Sequence, residues 1–156
     1  MYNRLIERSF MALLATFVVL LSISCSNPVD SHDDDDHHEE PAGFVLKLNG
    51  TNVISQQPNG TLSGSFSMKV AEETDLIRLY FVSEDGDEFT PEDEEYSLQA
   101  EFSTNEIVHF EQHEEDGKWA FHLHAEAVGS TSLTLKLMHG GHSDFSTQAI
   151  PITVSE

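Results

Sequence analysis

From residue 43 onward, apolar and polar positions alternate in short runs broken by turn residues. A period of two is the signature of strands with one buried face. Phe44-Val45-Leu46-Lys47-Leu48 stops at Asn49-Gly50, and Val53-Ile54 stops before Pro58-Asn59-Gly60. Over 62–70, Leu62, Gly64, Phe66, Met68 and Val70 fall on one face. Residues 76–82 read as a central strand, and an acidic loop, 84–95, follows it. Further strands are predicted over 96–102, 106–113, 118–125, 131–138 and 149–154. No segment carries a helical period. Eight or nine short strands at this spacing predict an all-β, antiparallel sandwich over residues 43–156.

One hairpin stands out. Residues 107–125 fold back at Glu114-Glu115-Asp116-Gly117, and Asp-Gly is a strong hairpin turn. A two-residue turn sets His109 opposite His124, Glu111 opposite His122 and His113 opposite Ala120. A four-residue turn sets His109 opposite His122. In both registers His109, Glu111, His113, His122 and His124 share a face, and Val108, Phe110, Trp119, Phe121, Leu123 and Ala125 take the other. Residues two apart on a strand lie about 7 Å apart on one side, and opposed Cβ atoms are about 5 Å apart. Imidazole arms over such distances can converge on one ion at about 2.0–2.1 Å. Imidazole-rich sets suit zinc, copper or nickel better than magnesium or calcium.

A second cluster, His139, His142 and Asp144, lies where a Gly140-Gly141 loop is expected to leave the 131–138 strand. Met138 beside it would favour Cu(I) if it faced the same way. A third cluster, His32, His37 and His38, is set among Asp33 to Asp36, Glu39 and Glu40 in a stretch with almost nothing apolar to bury. That stretch, 25–42, is expected to be a disordered tether with weak metal capture. The acidic loop 84–95 offers oxygen ligands for calcium but lacks the spacing of an EF-hand; a solvated loop is the simpler expectation.

The first 24 residues have the parts of an export signal: Arg4 and Arg8, an apolar run over 11–21, then small residues. The run is shorter than the roughly 20 apolar residues a spanning helix takes. Cys25 is the only cysteine, so it has no internal disulfide partner. Leu21-Ser22-Ile23-Ser24-Cys25 resembles the lipobox of bacterial lipoproteins, although Ser22 stands where leucine is usual. The resemblance implies lipidation at Cys25 and a membrane anchor, and Ser26 points to the outer rather than the inner membrane of the cell envelope. An ordinary secretory signal that leaves a free thiol is the alternative.

Charge narrows the partners. The chain has 156 residues, with 7 Lys and Arg against 28 Asp and Glu, a net charge of −21. Removing residues 1–24 takes away Arg4, Arg8 and Glu7 and moves the net charge to −22. Nucleic acid, which needs basic surface, is excluded as a natural partner, and cations are concentrated by a field of this sign. Nine histidines complete the picture of a cation binder.

Asn105-Glu106-Ile107-Val108, the Asp116-Gly117 turn and Ala125-Glu126-Ala127-Val128-Gly129-Ser130-Thr131-Ser132-Leu133-Thr134-Leu135 together resemble the bacterial Ig-like group 2 module. The resemblance spans roughly 44–154 and is distinctive over 105–137. It implies an Ig-like sandwich of a kind used mostly in spacers and adhesins; the histidines are not part of its pattern. No nucleophile elbow and no metalloprotease helix motif is present, so a binding protein is expected rather than an enzyme. The leading expectation is an envelope lipoprotein that buffers or delivers a transition metal, zinc first and copper or nickel after it, with an envelope transporter or receptor as partner. An Ig-like structural or adhesive module with incidental histidines is the alternative, and a metal-dependent hydrolase comes third.

Overall fold

The computed structural model describes residues 39–156. The expected export signal, Cys25 and the histidines of the expected tether (His32, His37 and His38) lie outside the described residues. Ala42 donates its N–H to the Val82 carbonyl at 2.8 Å, which fixes the entry into the first strand.

Twelve strands follow: β1 (Gly43–Leu48), β2 (Thr51–Gln56), β3 (Leu62–Ser63), β4 (Phe66–Lys69), β5 (Ile77–Val82), β6 (Glu88–Phe89), β7 (Tyr96–Phe102), β8 (Val108–Glu111), β9 (Ala120–Ala125), β10 (Gly129–His139), β11 (His142–Ser146) and β12 (Ile150–Ser155). A single 3-10 turn, Glu114–Asp116, sits between β8 and β9. One sheet has the order β3-β2-β1-β5-β9-β8, with β6 also on β5. The other runs β11-β10-β12-β4, with β7 on the opposite edge of β10. Every pairing is antiparallel except β12 with β4. The adjacency β1-β5-β9-β8 facing β4-β12-β10-β7 is the ABED and A′GFC arrangement of an Ig-like sandwich. The β2–β3 hairpin, β6 and β11 are additions to that frame.

The strand count exceeds the expected eight or nine because three segments behave differently. The 62–70 run is not one strand. It breaks at Gly64-Ser65, so that β3 pairs in the first sheet and β4 in the second. Gly64 has φ +96, and a Cβ there would run into the Val53 carbonyl; glycine alone takes this backbone cheaply. Past the break, Phe66 and Met68 are buried while Val70 is exposed, so the predicted common face ends early. The acidic loop carries the short strand β6. The Gly-Gly segment, expected as a loop, is a tight turn between β10 and the added strand β11, with φ +54 at Gly140 and +91 at Gly141.

The core lies between the sheets. Phe44, Leu46, Phe81, Phe121 and Leu123 come from the first sheet and Leu133, Leu135, Leu137, Ile150 and Ile152 from the second, all at most 1% exposed. Each such side chain contributes about 1.5–3 kcal/mol through burial. Phe81 makes edge-on contacts with Trp119 at 5.4 Å and with Phe145 of β11 at 5.9 Å, joining the two sheets at one end.

Candidate metal centre

The alternation in β9 decides where its histidines go. Phe121, Leu123 and Ala125 are buried in the core, which turns His122 and His124 to the outer face of the first sheet. Strand β8 pairs with β9 as Val108↔Ala125, His109↔His124, Phe110↔Leu123 and Glu111↔His122. This is the two-residue register, although the connection is longer. The ladder stops at Glu111, and the chain runs through His113 and the 3-10 turn to Gly117, at φ +89. Gln112 ties the loop together by donating to the carbonyls of Lys118 at 2.9 Å and Ala120 at 3.3 Å. Ala120 keeps to the outer side of β9, opposite Arg78, but is covered there, at 1% exposure.

The loop brings His113, Asp116 and His122 into a group whose donor atoms lie within 4.8 Å of one another. Nε2 of His122 is 3.9 Å from Oδ2 of Asp116. Donors around one tetrahedral zinc, bound at about 2.0–2.2 Å, sit about 3.3 Å apart, so closure requires the side chains to draw together. The other ring nitrogen of His122, Nδ1, is 2.9 Å from the Thr74 carbonyl oxygen. A carbonyl only accepts, so Nδ1 carries the hydrogen in the neutral ring and Nε2 offers its lone pair toward Asp116. An outer partner of this kind is the usual companion of a metal-binding imidazole.

Thr74 belongs to a segment, 71–75, that runs along the other edge of β9. Its N–H donates to the Leu123 carbonyl at 2.9 Å, and its hydroxyl accepts from the Leu123 N–H at 3.0 Å. The same segment places Glu73 opposite His124. Glu73 Oε1 lies 3.5 Å from His122 Nδ1 and 3.8 Å from His124 Nε2. Glu111 reaches from the opposite side, with Oε2 at 2.6 Å from His124 Nε2 and Oε1 at 3.7 Å from His113 Nε2. The short Glu111–His124 approach is not directed as a hydrogen bond, so the solvent-shielded Nε2 has no hydrogen-bond partner among the described residues.

The second group forms at the β10–β11 turn. His139 and His142 are cross-strand partners flanking Gly140-Gly141. His142 Nε2 is 3.0 Å from Asp144 Oδ1, and His139 Nδ1 is 3.3 Å from Asp144 Oδ2. Glu95 Oε2 stands 3.4 Å from His139 Nε2. Tyr96, opposite His139 on β7, stacks on its ring at 4.3 Å and holds its plane. Burial raises the Tyr96 phenol above its ordinary value, and the charges of Asp144, Asp93 and Glu40 add to the shift.

The expected residues therefore separate into two groups with no member in common, one on each sheet. His113 and His122 converge in the first, and His139, His142 and Asp144 in the second. Glu111 and His124 lie beside the first group. His109 is exposed, its ring 6.5 Å from that of His124, and it joins neither group. Asp116 and Glu73 were not among the expected ligands. Asp116 stood in view as a turn residue, and the alternation in its surroundings gave no cue to its direction. Glu73 is brought in by pairing across some fifty positions of sequence, for which no local signal exists. The acidic loop contributes no member to either group among the described residues, although Glu95 at its end stands beside His139; Glu88 meets Lys47 at 2.5 Å.

No protein-family model matches the chain, and none of the curated proteins does. Among solved structures, the crystal structure of domains 4 and 5 of the S-layer protein SbsC is similar at 14% identity and a TM-score of 0.45, covering 72% of this chain. This chain spans 54% of that structure's length.

Proposed function

We propose that this chain is an exported, lipid-anchored Ig-like module that takes up a divalent transition metal through outward-facing histidines. Zinc is the first candidate, with copper and nickel after it, and the role is buffering or delivery to an envelope transporter or receptor. The observation that carries this reading is His122, with Nδ1 on the Thr74 carbonyl and Nε2 turned to Asp116 in a group completed by His113. Two imidazoles and a carboxylate form a donor set suited to zinc. The second group, His139, His142 and Asp144, has the same composition. The net charge of −21 supports the reading by drawing cations to the surface.

Calorimetric titration of the purified protein with Zn(II) at pH 7.5 tests the proposal. Sub-micromolar binding is expected, and its absence overturns it. Anchoring is tested separately by incorporation of labelled palmitate in a bacterial host, which is expected to disappear in Cys25→Ser. The Ig-like topology favours a second reading, a structural or adhesive surface module. That reading stands alone if no metal binds.

A further inference from the structure

On the reading that the hairpin face takes up metal, we infer that it is built for two ions bridged by Glu111, not for one. The first position is the His113, Asp116 and His122 group. Immediately beside it, His124 Nε2 has carboxylate oxygens on two sides, Glu111 Oε2 at 2.6 Å and Glu73 Oε1 at 3.8 Å. These three atoms offer one nitrogen and two oxygens, a set more widely spread than the first because the carboxylates flank the nitrogen, so the Glu73 side chain swings inward to close it.

Glu111 links the two positions. Its two oxygens face different histidines: Oε1 lies toward His113 of the first set, at 3.7 Å, and Oε2 toward His124 of the second. A carboxylate that turns one oxygen to each of two neighbouring donor sets has the disposition of a bridging ligand, and paired ions of this type stand about 3.5–4 Å apart. His124 Nε2 supplies an independent observation. It is shielded from solvent and has no directed hydrogen bond among the described residues, even with a carboxylate close by. A buried polar atom without a partner is costly, and an ion on its lone pair removes that cost. Glu73 is kept in place by the Glu73↔His124 bridge and by the approach of His122 Nδ1 at 3.5 Å. His122 can hold the first ion through Nε2 while Nδ1 stays on Thr74, so the two sets do not compete for one nitrogen.

The test uses the full chain carrying His139→Ala and His142→Ala, so that the β10–β11 group is silent. Cu(II) is the probe, with metal content measured after desalting and paramagnetism by EPR. The hairpin's content is the amount lost on adding His113→Ala, His122→Ala and His124→Ala. Two equivalents are expected, with an EPR intensity well below the copper content because the two spins couple. Glu111→Gln is expected to lower the content by about one equivalent and restore full intensity to the remainder; Glu73→Gln should also lower the content, and circular dichroism checks that both variants stay folded. One equivalent with full intensity, or two uncoupled equivalents indifferent to Glu111→Gln, overturns the bridged pair and leaves the metal-binding reading intact. No copper at the hairpin overturns the bridged pair and the hairpin site on which it rests.

Discussion

The ring of His122 and the backbone carbonyl of Thr74 meet at 2.9 Å, across two segments 48 positions apart in sequence. This contact orients the imidazole before any ion arrives. It depends in turn on the Thr74 hydroxyl, which accepts from the Leu123 N–H. Thr74→Val keeps the branched shape and leaves that N–H without its side-chain acceptor, at a cost of about 1–3 kcal/mol. Chemical denaturation is expected to show the loss. Zn(II) affinity of the hairpin is expected to fall by about 10-fold or more, as when the outer partner of a ligand is disturbed. Unchanged affinity would mean that Thr74 does not position the ring.

His122→Ala with His124→Ala is expected to cut Zn(II) affinity at the hairpin strongly and to leave the fold in place. Both side chains lie on the outer face, whereas Phe121 and Leu123 between them carry the packing. By contrast, Leu123→Ala, fully buried, is expected to cost about 2–5 kcal/mol. Thermal unfolding distinguishes the two cases.

The two groups share no residue and sit on different sheets. His139→Ala with His142→Ala is therefore expected to remove the β10–β11 contribution and leave the hairpin isotherm as it was, because well-separated sites behave additively. Calorimetry of each double variant and of the combined quadruple variant checks this. In the unsubstituted chain protons compete with metal for imidazole nitrogen, so affinity is expected to drop below about pH 6.

Tyr96 gives a pH signature of its own. Its phenol is raised above 10.0, first by burial and then by Asp144, Asp93 and Glu40. In the unfolded chain this phenol ionises earlier, so the folded state holds the proton longer. Below pH 10 the group adds no slope; above it, stability falls with rising pH until the folded phenol also ionises. Phenolate absorbance, read as the difference from Tyr96→Phe, is expected to titrate late. Asp144→Asn, or a divalent ion at the β10–β11 turn, is expected to bring the midpoint down. A midpoint that ignores both would contradict the placement of Asp144 beside this ring.

Much of this was legible from parity. Alternation in β9 required Phe121 and Leu123 to point inward, which forced His122 and His124 outward whatever the turn did; the turn itself left two registers open, and the pairing takes the one that sets His109 opposite His124. The His139, His142 and Asp144 group was also readable, because all three residues fall within one tight hairpin. What the sequence could not disclose came from contacts between distant segments. Glu73 reaches His124 only because residues 71–75 pair with the free edge of β9. Asp116 faces His122 only because a 3-10 turn replaces a two-residue one. The Gly64 crossover was hidden because the alternation of Leu62, Phe66 and Met68 continues through it, while the change of sheet is a matter of backbone dihedrals.

Trp119, the single tryptophan, rests edge-on against Phe81 and donates its indole N–H to the Pro91 carbonyl at 3.1 Å. It stands three positions after Asp116, and the strap it grips runs on to Glu95 beside His139. The protein thus carries a built-in fluorophore linked to both groups, and Cu(II) arriving at either should be visible as quenching without any attached dye.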